Sequence, residues 1–151
     1  MLRKALAIKD NLSRRGVVLL NNLCVLCGVE EESIYHMIFN CKIAWLIWGM
    51  CYNWLGVSMT NHYDAKSYFM HNKFPFLNVT SNKILIAIIG EIWKHRNGCI
   101  FKNDRVDHVE VFTIAQMKVW SWLLAKEHVI NFSYSDWCLE PLGCMSYIRK
   151  R

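Results

Sequence analysis

Four residues in an 18-residue stretch have the types and spacing to hold a soft metal ion. They are Cys24, Cys27, His36 and Cys41, in the pattern Cys-x2-Cys-x8-His-x4-Cys. Zinc is satisfied by four thiolate or imidazole ligands in a tetrahedron, and this set supplies three of one and one of the other. The two-residue gap lets both sulfurs of a tight turn face one point, and Gly28 gives the backbone freedom to double back there. His-x4-Cys falls within the usual spacing of a second ligand pair. Four protein ligands leave no position for water or substrate, so one zinc ion held this way would be structural and not catalytic. Two other accounts remain open from these residues: ordinary buried cysteines with a core histidine, or a disulfide. With seven cysteines in the chain, one Cys-x2-Cys pair would be weak evidence. An intracellular setting disfavours the disulfide, and His36 and Cys41 at ligand spacing tip the balance to zinc. The other four cysteines, Cys51, Cys99, Cys138 and Cys144, read as small core hydrophobes.

The elements that must position this cluster are mostly helical. Residues 2–15 suggest a short amphipathic helix, with Leu2, Ala5, Leu6 and Leu12 near one face and Gly16 as its stop. Residues 17–23 form an apolar, loosely extended lead-in to the first ligand pair. Residues 31–39 have weak helical character, and the acids at their start, Glu30 to Glu32, suit the helix dipole. The strongest helix is expected over 41–55, where Trp45, Trp48, Tyr52 and Leu55 recur at three- and four-residue steps beside Ile47, Cys51 and Trp54. A helix apolar around most of its girth is a core helix. Residues 58–80, which hold His62 and His71, lack periodicity and read as a linker or long loop.

A helical hairpin is expected next, over 81–128. Ser81 can cap a helix over 82–97 whose last turn carries Lys94, His95 and Arg96, with Gly98 ending it. Asp104 or Asp107 opens the final helix, with Glu110 completing a capping box with Asp107. Its apolar face would be Val109, Phe112, Ala115, Val119, Trp122 and Leu123. Residues 129–151 are aromatic but aperiodic, broken by Pro141 and Gly143, and read as a partly ordered tail. The fold class expected is thus mostly α: a small zinc-stabilised module over residues 1–57, then an antiparallel helical hairpin.

Composition narrows the function classes. At 151 residues with 54% hydrophobic content and seven tryptophans, the chain can bury a real core. The longest nearly uncharged helical candidate, 43–57, is too short to span a membrane comfortably and contains Asn53. Lys9, Arg14 and Arg15 interrupt the only early apolar stretch, so no secretory signal is read there. An intracellular location is expected, with nucleus and cytoplasm both open. Carboxylates that could hold catalytic magnesium are scattered (Asp64, Glu91, Asp104, Asp107, Glu110), and no phosphate-cradling glycine loop or nucleophile motif occurs. The expectation is a non-enzyme with no small-molecule substrate. The net charge of +6 permits nucleic-acid contact without demanding it. The steepest local imbalance lies in the first 16 residues, so Lys9, Arg14 and Arg15, with Lys42 nearby, are the candidate phosphate contacts. A merely solvated helix face explains the same charges.

The ligand segment and its surroundings resemble the zinc-binding domain found near the C-terminal end of plant LINE-type (non-LTR) retrotransposon reverse transcriptases. Lys9-Asp10-Asn11-Leu12 with Arg15-Gly16 resembles the lead-in of that family. Glu32-Ser33, His36-Met37 and Phe39-Asn40-Cys41 resemble its "Glu-Ser…His-Leu-Phe…Cys" run, followed by Ala44 and Trp48. Trp93, Arg96-Asn97 and Phe101 resemble the Trp…Arg-Asn…Phe signature that often follows. Ala7-Ile8 departs from the Pro-Thr common there, and the upstream tryptophan-containing part is absent, so the chain looks like a separated or truncated copy. The resemblance implies a non-catalytic zinc module, with RNA or DNA and other parts of a retrotransposon polyprotein as partners. The competing class is a structural or protein-contact domain, or a remnant without nucleic-acid binding. Basic residues 3–15 favour the first, and the acidic run at 30–32 favours the second.

Overall fold

The computed structural model describes residues 7–58, 79–126 and 131–149. Helices dominate, in chain order α1 (Lys9–Arg14), a π-helical turn (His36–Asn40), α2 (Lys42–Trp54), α3 (Val79–Phe101), α4 (His108–Lys126), α5 (Tyr134–Leu139) and α6 (Pro141–Arg149). The mostly α class holds. Among the described residues there is no strand, only an isolated antiparallel bridge between Leu23 and Glu31. None of their helices is long and apolar enough to cross a membrane.

The first helix is shorter than its charge pattern suggests. Ile8 is extended (ψ 159°) and buried, so no single helix runs from residue 2 to 15. Leu2, Ala5 and Leu6 lie outside the described residues. Within α1 it is Asn11 that is buried, while Leu12 is only half-buried. Gly16, at φ +80°, stops the chain where expected.

α2 is the centre of the core. Ala44, Ile47, Trp48, Cys51, Tyr52 and Leu55 follow helical spacing and are all buried. That face packs on α4 and on the π-turn. Trp48 lies between Phe39 of the π-turn, with ring centres 6.1 Å apart, and Tyr52 at 6.4 Å. Its indole N–H donates to the Ile38 carbonyl at 2.7 Å. One side chain thus joins the core helix to the turn that carries His36.

α3 and α4 form the expected hairpin. Their cross-links are nested, His95 to Asp107 and Glu91 to Lys118, as two antiparallel helices require. Both ends of α3 differ from the expectation. The helix begins at Val79, with Ser81 buried inside it and not capping it, and it runs through Gly98 to Phe101. Glycine does not terminate this helix because its role is close approach. A β-carbon at Gly98 would collide with the Asp104 carboxylate, and the Gly98 carbonyl accepts from Lys102 N (2.9 Å) and Asp104 N (3.3 Å). Lys94, His95 and Arg96 therefore lie mid-helix, not in the last turn.

Asp107 caps α4, accepting from Glu110 N at 3.0 Å. The reciprocal half of the box is absent, because the Asp107 N–H donates to His95 Nε2 at 2.9 Å. The buried face of α4 is Val111, Phe112, Ala115, Val119 and Leu123, with Val109 and Trp122 exposed.

The largest departure is the C-terminal segment. Ser133 and Asp136 close a full capping box at α5, and Pro141 is the first residue of α6, where its missing N–H costs nothing. Gly143 lies within α6. Trp137 is 0% exposed, edge-on to Trp54 at 4.9 Å, with its indole N–H on the Gln116 carbonyl at 3.1 Å. Over its described residues, 131–149, this segment supplies one of the largest side chains of the core. Of the residues expected as a linker, 58–80, those from 59 to 78, with His62 and His71, lie outside the described residues, and Val79 and Thr80 already belong to α3.

Candidate metal centre

Two short segments bring the ligand candidates together. The first is a knuckle at 24–28. Cys24 N donates to Glu30 O at 2.7 Å, and the Leu23–Glu31 bridge pairs the two sides of the loop. Gly28 N returns to Cys24 O at 2.7 Å, and Gly28 takes φ +68°, which a side chain would strain. The second segment is the π-turn, closed by Cys41 N donating to His36 O at 2.6 Å across five residues. Positions five apart on an α-helix point about 140° away from each other. The wider π-turn brings His36 and Cys41 round to one side, a use of π-geometry common at functional sites. Sequence spacing alone does not reveal this device.

The side chains of Cys24, Cys27, His36 and Cys41 converge: their candidate ligand atoms all lie within 4.8 Å of one another. Cys24 Sγ and Cys41 Sγ are 3.9 Å apart, and Cys27 Sγ is 3.3 Å from His36 Nε2. Zinc bond lengths place tetrahedral ligand atoms about 3.8 Å apart for two sulfurs and about 3.5 Å apart for sulfur and nitrogen. The donor set and its spacing therefore fit a zinc ion. All seven cysteines are free, so the disulfide account falls away for this cluster.

The electrostatics suit a thiolate at Cys24. The Cys24 sulfur is held well below the usual thiol range, first by sharing a hydrogen bond with Cys41 and then by the backbone N–H groups of Cys27 and Leu26. Cys41 is pushed up as the donor of that pair and by burial, opposed by the Ala44 and Ile43 N–H groups at the start of α2. A cation among these sulfurs removes the competition for one proton. With Nε2 turned to the cluster, His36 Nδ1 lies 3.2 Å from the exposed Glu30 carboxylate without a well-aligned hydrogen bond between them; a small rotation of Glu30 would let it support a ligating imidazole.

Behind the cluster lies a junction that sequence reasoning missed. Glu32 and Arg96, with side chains 0% and 2% exposed, form a two-pronged ion pair: Arg96 Nη2 to Glu32 Oε1 at 2.5 Å and Nε to Oε2 at 3.2 Å. Arg96 Nη1 also donates to the Ala7 carbonyl (3.2 Å) and Asn97 Oδ1 (2.9 Å), and the guanidinium lies 5.2 Å from the centre of the Trp93 ring. Glu32 Oε1 accepts the Lys9 backbone N–H at 2.9 Å. Glu32 is thus no part of an outward acidic face, and Arg96 is not a partner for the carbonyl end of α3. The signal that could have found the pair was the resemblance itself, whose motifs include Glu32-Ser33 and Trp93…Arg96-Asn97.

The four basic candidates separate. The Lys9 ammonium donates to Leu23 O at 2.7 Å and Asn21 Oδ1 at 3.0 Å, which fixes the chain just before Cys24. Arg14 is 73% exposed and pairs with Asp10 at 3.0 Å. Arg15 and Lys42 are exposed, Lys42 on the first residue of α2.

Fold and site together define a helical protein built beside a Cys3His cluster able to hold a metal ion. Residues 1–48 match a family model described as zinc-binding in reverse transcriptase, so the match spans all four ligand candidates. No curated protein and no solved structure is significantly similar to the chain.

Proposed function

We propose that this chain is a non-catalytic accessory module organised by one structural zinc ion on Cys24, Cys27, His36 and Cys41, akin to the zinc-binding domain of LINE-type reverse transcriptases. The observation that carries the reading is the convergence of those four donor atoms within 4.8 Å from two separate segments. Four protein ligands complete a zinc shell and leave no position for a reacting water, so the ion would act on folding alone. Cys24 and Cys41 anchor the knuckle and the start of α2, so the ion would pin both to the core. Metal analysis of the purified full chain tests this. One zinc per chain is expected, lost in Cys24→Ser and His36→Ala, with helicity falling on chelation because structural zinc supplies about 10–16 kcal/mol of apparent binding energy. Protein that binds no zinc, or variants that keep it, would refute the assignment.

A second reading adds RNA or DNA contact, favoured by the exposure of Arg14 and by the net charge of +6. Arg14, Arg15 and Lys42 are its phosphate contacts, with Lys9 contributing only through the donor left by its two loop hydrogen bonds. Such binding would weaken with salt and show little sequence preference. Titrating single-stranded RNA and duplex DNA at two salt concentrations, against Arg14→Glu/Arg15→Glu, decides it. No binding at low salt, or a double variant equal to wild type, leaves a purely structural module.

A further inference from the structure

The metal loop is gripped from a helix that lies beyond the residues matching the zinc-binding family. We propose that Arg96 of α3 is a positioning residue for the metal centre: by holding Glu32 it keeps the Cys24 and His36 segments in ligand geometry and so sets zinc affinity from the hairpin. The inference rests on the zinc reading above.

Glu32 is placed to do this. Its N–H donates to Asn22 O at 2.8 Å, two residues before Cys24, and its carboxylate accepts the Lys9 N–H. The ammonium of the same Lys9 holds Leu23. On the other side, Ser33 Oγ accepts the His36 N–H at 3.0 Å. Any shift of Glu32 is therefore passed to both halves of the ligand set through hydrogen bonds of ordinary length. Arg96 in turn is fixed by Ala7 O, Asn97 Oδ1 and the Trp93 ring.

Net stability is a poor account of such a pair. Burying two charges costs desolvation that their attraction roughly repays, so a buried ion pair is weak evidence for stability by itself. A bidentate guanidinium–carboxylate contact instead supplies direction, since its two parallel bonds fix the relative orientation of the planes. Directional support behind ligands is what tunes metal affinity. The linkage is reciprocal: if Arg96 favours metal binding, metal binding favours the docked α3.

The test is a zinc competition titration against a chromophoric chelator on the full chain. It compares wild type with Arg96→Met, Arg96→Lys and Lys118→Met. The last breaks an ion pair with Glu91 on the same hairpin, where Lys94 also approaches, and serves as a control for general destabilisation. Arg96→Met is expected to weaken zinc about 10-fold, the low end of the range for partners that touch a ligand directly, because Arg96 acts one contact further out. Arg96→Lys, which keeps the charge but loses the fork, is expected to lose less, and Lys118→Met is expected to bind as wild type does. Should Arg96→Met fail to fold, Arg96→Lys and hydrogen exchange on the wild type carry the test. Chelation is expected to reduce amide protection over residues 92–101. Zinc affinity unchanged in the Arg96 variants, equal weakening in Lys118→Met, or unchanged protection on chelation would each overturn the inference and leave the zinc reading intact. A wild type that binds no zinc overturns both.

Discussion

Replacing Trp137 with alanine should remove a large share of the stability of this protein. The side chain is 0% exposed and sits where α2, α4 and the C-terminal helices meet. Its ring meets Trp54 edge-on (4.9 Å, 83°) and stacks near Phe132 (6.4 Å, 25°). The Trp137 indole donates to the Gln116 carbonyl, and the Trp137 carbonyl accepts from the Trp54 indole at 3.2 Å. Removing a buried tryptophan costs about 3–5 kcal/mol in lost transfer energy and cavity. Losing the edge-on contact removes about 0.5–1.5 kcal/mol beyond area burial, and the indole hydrogen bond about 1 kcal/mol. The expected loss lies at the top of the first range, about 4–5 kcal/mol, against a total of about 5–15 kcal/mol for a domain. Trp137→Phe keeps a ring against Trp54 but drops the N–H donor, and should cost about 1–2 kcal/mol. Urea unfolding followed by far-ultraviolet circular dichroism measures both. A Trp137→Ala variant that loses less than about 1 kcal/mol, within the scatter of surface substitutions, would refute the placing of the C-terminal helices in the core.

Three further outcomes can be checked together. Cys51→Ala should leave bound zinc at wild-type stoichiometry and cost on the order of 1–2 kcal/mol; a fall in zinc content would show the wrong ligand set. Full burial pushes the Cys51 thiol above its ordinary value, so thiol reagents should reach it only on unfolding, which mass-resolved alkylation with and without urea tests. Asp136 is held below the ordinary carboxylate value, first by the Ser133 backbone N–H and then by its hydroxyl. A depressed native pKa contributes stability above the unfolded value that is lost as pH falls through the native one. Asp136→Asn should therefore be less stable than wild type at neutral pH and show a smaller acid-side loss of stability; an identical acid profile would contradict this.

Local pattern carried much of this protein into view. Zinc-ligand chemistry needs only residue types and short spacings, so Cys24, Cys27, His36 and Cys41 could be picked out before any fold was known, and the structure brings them together. The apolar periods at 45–55 and 109–123 likewise marked α2 and α4, because a helix displays its buried face at a fixed repeat. Gly16 and Asp107 were legible for the same reason, as one-residue answers to helix ends.

What depended on distant partners was not legible. Gly98 has the look of a helix stop, but the approach of Asp104 made it an interior residue. Nothing in the sequence showed that the Lys9 ammonium, read as a phosphate contact, also holds Leu23 and Asn21. The segment 134–149 lacks a long period, since two short helices meeting at Pro141 expose no repeat for pattern to catch, and only the Trp54 and Gln116 contacts show Trp137 to be core. Glu32 and Arg96 are 64 positions apart. A charge says nothing by itself about whether it faces water or a partner. Only the packing of α3 behind the metal loop decided that these two face each other, in an interior where leaving either unpaired would cost several kcal/mol.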